Sequence, residues 1–267
     1  MQVWAISNQK GGVGKTTTVA TLAGLLQEQG ARVLMVDLDP HGSLSSYFEM
    51  SPEKVEHGVY DLFRQAMGHQ HEENPENYIQ STAFDNLSLL PAVMALATVE
   101  RQAGAIEGLG LVLQKALERL RGKFDYVLVD TPPMLGVLMV NALAACDRLI
   151  VPVMAEYLSL QGLERMLRTL AMISRSRKRP FDYTIVPTLF DRRTRVSSES
   201  LKLLQERHGD CLWSGVIPVD TKLREASEAH LPVSQYYPNS RAAIAYEQLL
   251  EFLLESSVSD EPQALSA

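Results

Sequence analysis

The stretch that most constrains this chain of 267 residues is Lys10-Gly11-Gly12-Val13-Gly14-Lys15-Thr16-Thr17. It follows a short apolar strand, Val3 to Ile6, and runs into Thr16 to Gln29, whose Ala, Leu and Gln content predicts a helix ending at Gly30. Strand, glycine loop and helix in that order make a phosphate-binding loop. Backbone N–H groups and the helix's positive end receive phosphate, a lysine meets its charge, and a hydroxyl faces Mg²⁺. The general pattern G-x-x-x-x-G-K-[ST] would place a glycine at Gln9, so the chain departs there and carries an extra lysine, Lys10, at the loop's mouth.

Two further strands end in acids. Arg32 to Val36 delivers Asp37-Leu38-Asp39-Pro40-His41-Gly42 at its carboxyl end, where ligands of open α/β sheets bind. Asp37 and Asp39 would share a face if the strand continued, but Pro40 and Gly42 turn the chain. One carboxylate is expected in the metal region and the other on a water, with loop capping the structural role open to Asp37. Phe124 to Val129 ends in Asp130, as in a Walker B element. A single strand-end Asp is enough for Mg²⁺, which keeps several waters and takes few carboxylates. Thr131-Pro132-Pro133 to Gly136 cannot continue as regular structure and reads as a nucleotide-sensing loop.

The remaining pattern alternates. Strands are expected at Asn86 to Pro91, Asp147 to Val153, Tyr183 to Leu189 and Cys211 to Ile217. Helices are expected at Val59 to Met67, Leu109 to Arg121, Leu160 to Ser174, Asp220 to Glu228 and Ser240 to Glu255, the last packing through Ile244, Leu249 and Leu253. This predicts an α/β fold: a mainly parallel twisted sheet with helices on both faces. Residues 1–256 are read as one domain and 257–267 as a disordered acidic tail.

A net charge of -7 argues against a uniformly basic nucleic-acid binder but leaves room for a local basic face. Two clusters offer one: Arg175, Arg177, Lys178 and Arg179, then Arg192, Arg193 and Arg195. Each is readable as a DNA-phosphate contact or as a solvated helix end. Within the polar stretch from 51 to 86, read as a solvated connection, His57, His69 and His71 lack metal-site spacing. Cys146 and Cys211 lie too far apart for a disulfide framework, which fits a reducing compartment. No apolar run approaches the ~20 residues of a membrane span, and the N-terminus does not read as a secretory signal.

Together these motifs resemble the ParA/Soj group of deviant Walker A ATPases, which includes MinD, over nearly the whole chain. Lys10 to Thr17 is similar to the group's K-G-G-x-G-K-T-T, Asp130 to Pro133 to its D-x-P-P, and Asp37 to Gly42 to its D-x-D-P-Q-G with His41 replacing Gln. Asn141-Ala142-Leu143, Glu156-Tyr157, Gln161-Gly162-Leu163 and Ser240-Arg241-Ala242-Ala243 match later segments. The resemblance implies a P-loop NTPase fold of the SIMIBI type, ATP and Mg²⁺ as cofactors, and hydrolysis to ADP and phosphate. It also implies an ATP-sandwich homodimer in which Lys10 reaches the partner subunit's phosphates while Lys15 serves its own. Asp39 is assigned to the attacking water, Thr16 to Mg²⁺ directly and Asp130 to Mg²⁺ through water. Gly11, Gly12, Val13, Gly14 and Thr17 are assigned to the phosphate cradle, and Pro218 and Asp220 to the nucleotide. At Ile217-Pro218-Val219-Asp220 the chain departs from the group's I-P-R-N, losing a basic contact and an adenine-binding Asn.

The output implied is a slow ATP timer that positions cargo in the cytoplasm, at a pole or on the nucleoid, with a protein partner that stimulates hydrolysis and with non-specific DNA as an alternative ligand. An acidic tail disfavours a MinD-like membrane helix, and no membrane insertion is expected. The D-P-H-G-S form with Tyr47-Phe48 resembles the ParA-type proteins of chemotaxis operons, the ParC group, which place chemoreceptor arrays. A reductase on the same fold would need paired cysteines near the switch to hold a cluster. An amide-forming ligase would need a small-molecule pocket that no motif here marks.

Overall fold

The computed structural model describes residues 1–68, 74–102, 108–174 and 181–258. The elements run in order β1 (Gln2–Ile6), α1 (Lys15–Glu28), β2 (Val33–Asp37), α2 (Ser43–Tyr47), α3 (Val59–Ala66), β3 (Gln80–Ser81), β4 (Leu87–Leu90), α4 (Ala97–Gln102), α5 (Val112–Arg119), β5 (Tyr126–Asp130), α6 (Val137–Ala145), β6 (Arg148–Met154), α7 (Tyr157–Ser174), β7 (Asp182–Thr188), α8 (Arg195–His208), α9 (Lys222–Glu228), α10 (Val233–Tyr236) and α11 (Arg241–Val258). The sheet order is β3-β4-β2-β5-β1-β6-β7, parallel throughout except for the antiparallel edge strand β3.

Successive side chains of a strand point to opposite faces, and both faces here are apolar, as a covered parallel sheet requires. Trp4, Ile6, Val33, Met35, Leu128 and Ile150 pack with Leu22 and Leu26 of α1 and Leu249 and Leu253 of α11. Val3, Ala5, Leu34, Val36, Val127, Val129 and Val151 pack the other way, against Phe63, Leu113, Leu143 and Leu163. Arg148, almost fully buried, fastens the last helix to the sheet. Its guanidinium donates to Asp182 (2.7 Å), to the Leu253 carbonyl and to Ser256 Oγ (2.9 Å).

Several expectations are corrected. Cys211 to Ile217 is not a strand. It touches β7 only at intervals, through Trp213 N to the Ile185 carbonyl (3.0 Å) and Ile217 N to the Pro187 carbonyl (2.8 Å). Pro187 has no N–H to return, and the Trp213 ring folds so closely over Gly215 that a Cβ there would lie 2.3 Å from it. Ile244 is not a packing residue but 44% exposed; Tyr246 and Leu250 are the buried residues in phase with Leu249 and Leu253. The stretch from 51 to 86 is more than a connection: besides the expected helix, present as α3, it builds a 3-10 turn at Pro75–Tyr78 that buries Tyr78, and β3. Helices α6 and α8 add to the elements expected from the sequence pattern.

His69, His71, Arg175, Arg177, Lys178, Arg179 and the tail from 259 lie outside the described residues. Among the described residues no cluster of three His, Cys, Asp or Glu side chains could hold a metal, and no helix is long and apolar enough to cross a membrane.

Candidate functional site

The glycine loop joins β1 to α1 at the carboxyl edge of the sheet. Gly12 (φ 73°) and Gly14 (φ 90°) take the left-handed conformation that side chains disfavour, and Gly14 is the N-cap of α1, so the loop's shape depends on glycine there. Polar side chains pin its ends. Asn8 donates to the Pro152 carbonyl at 2.7 Å and accepts from Lys10 N at 3.0 Å; Thr188, at the end of β7, donates to the Val13 carbonyl at 2.9 Å. Gly11 and Gly12 are exposed, Val13 is buried, and Thr16 and Thr17 are half-buried.

Asp37 and Asp130 stand opposite each other in the register of β2 and β5, and both are buried. Asp37 accepts from Asp39 N (3.1 Å), Ser45 N (2.8 Å) and Ser45 Oγ (2.7 Å), so it is the loop cap, and Asp39 is the acid left to face the site. Asp39 accepts from His41 N (3.0 Å) and lies 2.7 Å from His41 Nδ1. Thr16 Oγ1 and Asp130 Oδ2 share a hydrogen bond of 2.6 Å. Burial, then the neighbouring Asp37 charge, pushes Asp130 far above the usual carboxylate range, and burial raises Asp37 as well. Lys15, 8% exposed, is lowered by burial against the opposing pull of Asp130 and Asp39. The structure thus brings Lys15, Thr16, Asp39 and Asp130 together around the loop, and the hydroxyl–carboxylate pair has the hard oxygen donors that suit Mg²⁺.

This arrangement has a stability cost with a definite sign. A carboxyl with a raised folded-state pKa binds its proton more tightly in the folded chain. Its stabilising contribution is therefore full below the unfolded value, near 4, and is lost as pH rises toward the folded value. Without nucleotide or metal, Asp130→Asn is expected to flatten the decline in Tm between pH 5 and pH 8 and to raise Tm at pH 8 by roughly 3–6 °C. Calorimetry across that range that gives parallel wild-type and variant curves would contradict it.

Lys10 lies at the loop's mouth but is turned toward the start of α7, where it pairs with Glu156, the residue before the helix, and donates to Ser159 Oγ at 2.9 Å. The ammonium holds Glu156 below the ordinary carboxylate value. Met134, Leu135, Tyr157 and Leu158 are exposed apolar residues, and Leu135 and Leu158 line a cleft of about 380 Å³ with Lys10 and Arg165. Pro218 and Asp220 are separated. Pro218, bridged to Phe190, lines a cleft of about 480 Å³ with Arg192, Arg193 and Arg241. Asp220 lines a different one of about 460 Å³, and its oxygens accept from Lys222 N (3.1 Å) and Ala242 N (3.3 Å), capping α11. In the second basic cluster, Arg193 pairs with Asp191 and Arg195 with Glu199.

An AAA domain family model matches residues 1–183. Over 249 residues the chain is 34% identical to the sporulation initiation inhibitor protein Soj of Bacillus subtilis, spanning 93% of this chain and 96% of Soj. The chain belongs to the ParA/Soj family. It is also 34% identical over 252 residues to the chromosome partitioning protein ParA of Caulobacter vibrioides, covering 93% and 92%. Among solved structures it matches cobyrinic acid a,c-diamide synthase from Mycobacterium smegmatis with a bound ATP analogue and magnesium: TM-score 0.82, 33% identity, 98% of this chain and 97% of that one. The ATP complex of a McdA variant from Cyanothece, at TM-score 0.83 and 21% identity over 96% of each chain, shares the fold. As a member of the ParA/Soj family the chain is a P-loop protein in which Glu156, Ser159, Asn8 and Thr188 hold the loop and its extra lysine. None of the four stands out as a site residue in the sequence. Asn8, polar directly after an apolar strand, and Glu156, opening a helix, are the two that leave a local trace.

Proposed function

We propose that this chain is an ATP-operated dimeric switch whose output is binding, with slow hydrolysis as its timer. The observation that carries the reading is the convergence of Lys15, Thr16, Asp39 and Asp130 on one glycine loop, with Lys10 at its mouth. Gly11 to Gly14 and Thr17 would cradle phosphate, Lys15 would meet its charge, Thr16 would bind Mg²⁺ directly and Asp130 through water. Mg²⁺, when bound, neutralises phosphate charge and offsets the buried carboxylates. Asp39 would orient the attacking water. Pro218 would touch the base, whereas capping of α11 leaves Asp220 the weaker candidate. ATP binds the dimer better than the monomer in this scheme, so hydrolysis returns the chain to the monomer by population shift.

We read residues 1–256 as one ATPase domain acting in the cytoplasm, with a hydrolysis-stimulating protein partner. The cargo leans to chemoreceptor arrays, on the D-P-H-G-S form and the altered I-P-V-D segment. Tyr47 and Phe48, the other sequence feature behind that lean, are core residues, and Tyr47 donates to the Leu231 carbonyl at 2.9 Å, so they offer no partner surface. Chromosome or plasmid partition on non-specific DNA is the alternative, supported by the Soj and ParA relatives and by Arg192, Arg193 and Arg241 around one cleft. Similarity to a cobyrinic acid a,c-diamide synthase favours a second class, an ATP-using amide-forming enzyme.

Sedimentation and phosphate release separate these. The switch dimerises with ATP alone, whereas a ligase turns ATP over only with its acid and amine. Binding of the ATP-loaded, hydrolysis-deficient protein to random-sequence duplex DNA then decides the cargo class. A partition protein is expected to lose affinity by about tenfold or more between 50 and 200 mM salt through phosphate contacts. No binding at 50 mM salt would favour a protein-tracking system.

A further inference from the structure

Glu100, on α4, reaches across to the first turn of α6. Its carboxylate accepts two backbone N–H groups there, Val137 N at 2.9 Å and Leu138 N at 3.1 Å. Helix geometry leaves such donors without intrahelical partners, and a negative charge at that end is favoured by the helix dipole. Helix α6 opens directly after the loop Thr131–Gly136. The near end of that loop is fixed where Thr131 Oγ1 donates to the Ile6 carbonyl at 2.9 Å. Glu100 fixes the far end.

Gly136 gives an independent sign of the same contact. Its backbone is extended (φ −134°, ψ −168°), a conformation any residue adopts. Yet a Cβ at 136 would lie 2.0–2.4 Å from the carboxyl atoms of Glu100. A side chain at 136 is therefore compatible with the backbone torsions but not with the carboxylate in its present place. Upstream of α4, Ala92 N donates to Ser45 Oγ at 2.9 Å, and Ser45 donates in turn to Asp37. The segment that carries Glu100 is thus tied at one end to the Asp37–Asp39 loop and at the other to the Thr131–Gly136 loop.

We propose that Glu100 is a positioning residue for the ATPase: by holding the first turn of α6 it sets the path of the Thr131–Gly136 loop away from Asp130 and couples it to the loop bearing Asp39. The assignment rests on the ATP-switch reading above. An alanine at 136 would act by pushing Glu100 off the helix end, so Gly136→Ala and Glu100→Ala are one lesion reached from two sides.

The test uses the full chain with Glu100→Gln, Glu100→Ala, Gly136→Ala and the Glu100→Ala/Gly136→Ala double variant. Amide exchange at Val137 and Leu138 is expected to quicken by about fivefold or more in both single alanine variants, and less in Glu100→Gln, whose amide oxygen keeps one bond. ATP turnover is expected to fall about tenfold while ATP affinity of the monomer stays within about twofold. Glu100→Gln should recover part of the loss. The double variant should be no worse than Glu100→Ala, because the added methyl then displaces nothing. Unchanged exchange in Glu100→Ala, multiplying effects in the double variant, or turnover and ATP affinity falling together with Tm would each overturn the proposal. A wild-type chain without ATP turnover would remove the switch reading and this role with it; normal turnover of Glu100→Ala in an active protein would remove only the role of Glu100.

Discussion

Replacing Asp39 by alanine is expected to lower ATP turnover by about a hundredfold or more while ATP still binds and still drives dimerisation. The two acids after β2 divide their work. Asp37 is buried and spends its oxygens on Ser45 and on the backbone of residue 39, whereas Asp39 sits at the turn with one oxygen held by His41 and close enough to Lys15 to act on its charge. Removing Asp37 therefore damages the loop and lowers Tm, and removing Asp39 leaves the fold intact. Phosphate release measured beside sedimentation in ATP distinguishes them. Retained turnover in Asp39→Ala would take the water-orienting role away from it.

Lys10→Ala is expected to weaken the ATP-dependent dimer by about thirtyfold or more, with ATP affinity of the monomer nearly unchanged. Within one subunit the Lys10 ammonium is committed to Glu156, just before α7, and to Ser159 in its first turn. To meet a partner's phosphates it must leave that pair. The pair is part-exposed and so holds Lys10 at home by only about 1 kcal/mol or less, which a charge-assisted contact to a phosphate in the proposed dimer would exceed. Equilibrium sedimentation across protein concentration reads the change directly. An unaltered dimer constant would end the cross-subunit role.

What is legible in the sequence is local. The glycine loop, Asp39 and Asp130 each sit at the end of an apolar strand within a few residues of their structural cause, and the alternation of elements leads to the parallel sheet. What stays hidden depends on strand order. Glu156 meets Lys10 and Thr188 meets Val13 because β1, β6 and β7 line up side by side, Glu100 meets α6 because β4, β2 and β5 do, and no spacing along the chain announces that order. The misreadings are of a different kind. Ile244 lies about 200° around the helix from the buried Tyr246, on the outer side, and the apolar run from Cys211 to Ile217 passes for a strand although Trp213 and Gly215 fold on each other. Within 51 to 86 the expected helix is present as α3, and what the polar surface masks is the buried Tyr78 and the edge strand β3.

The position of β1 in the sheet has a further consequence for synthesis. Of the strands of this sheet β1 is made first, and it lies between β5 and β6, pairing Gln2 with Tyr126 and Trp4 with Arg148. Contacts so distant in sequence form slowly, because the intervening chain must be closed first. Until the residues of β6 have emerged, β1 lacks one of its two neighbours and Asn8 lacks the Pro152 carbonyl that braces the loop. The nucleotide motif is therefore made well before the strands that brace it, and the nucleotide site stays unfinished until β6 has been made.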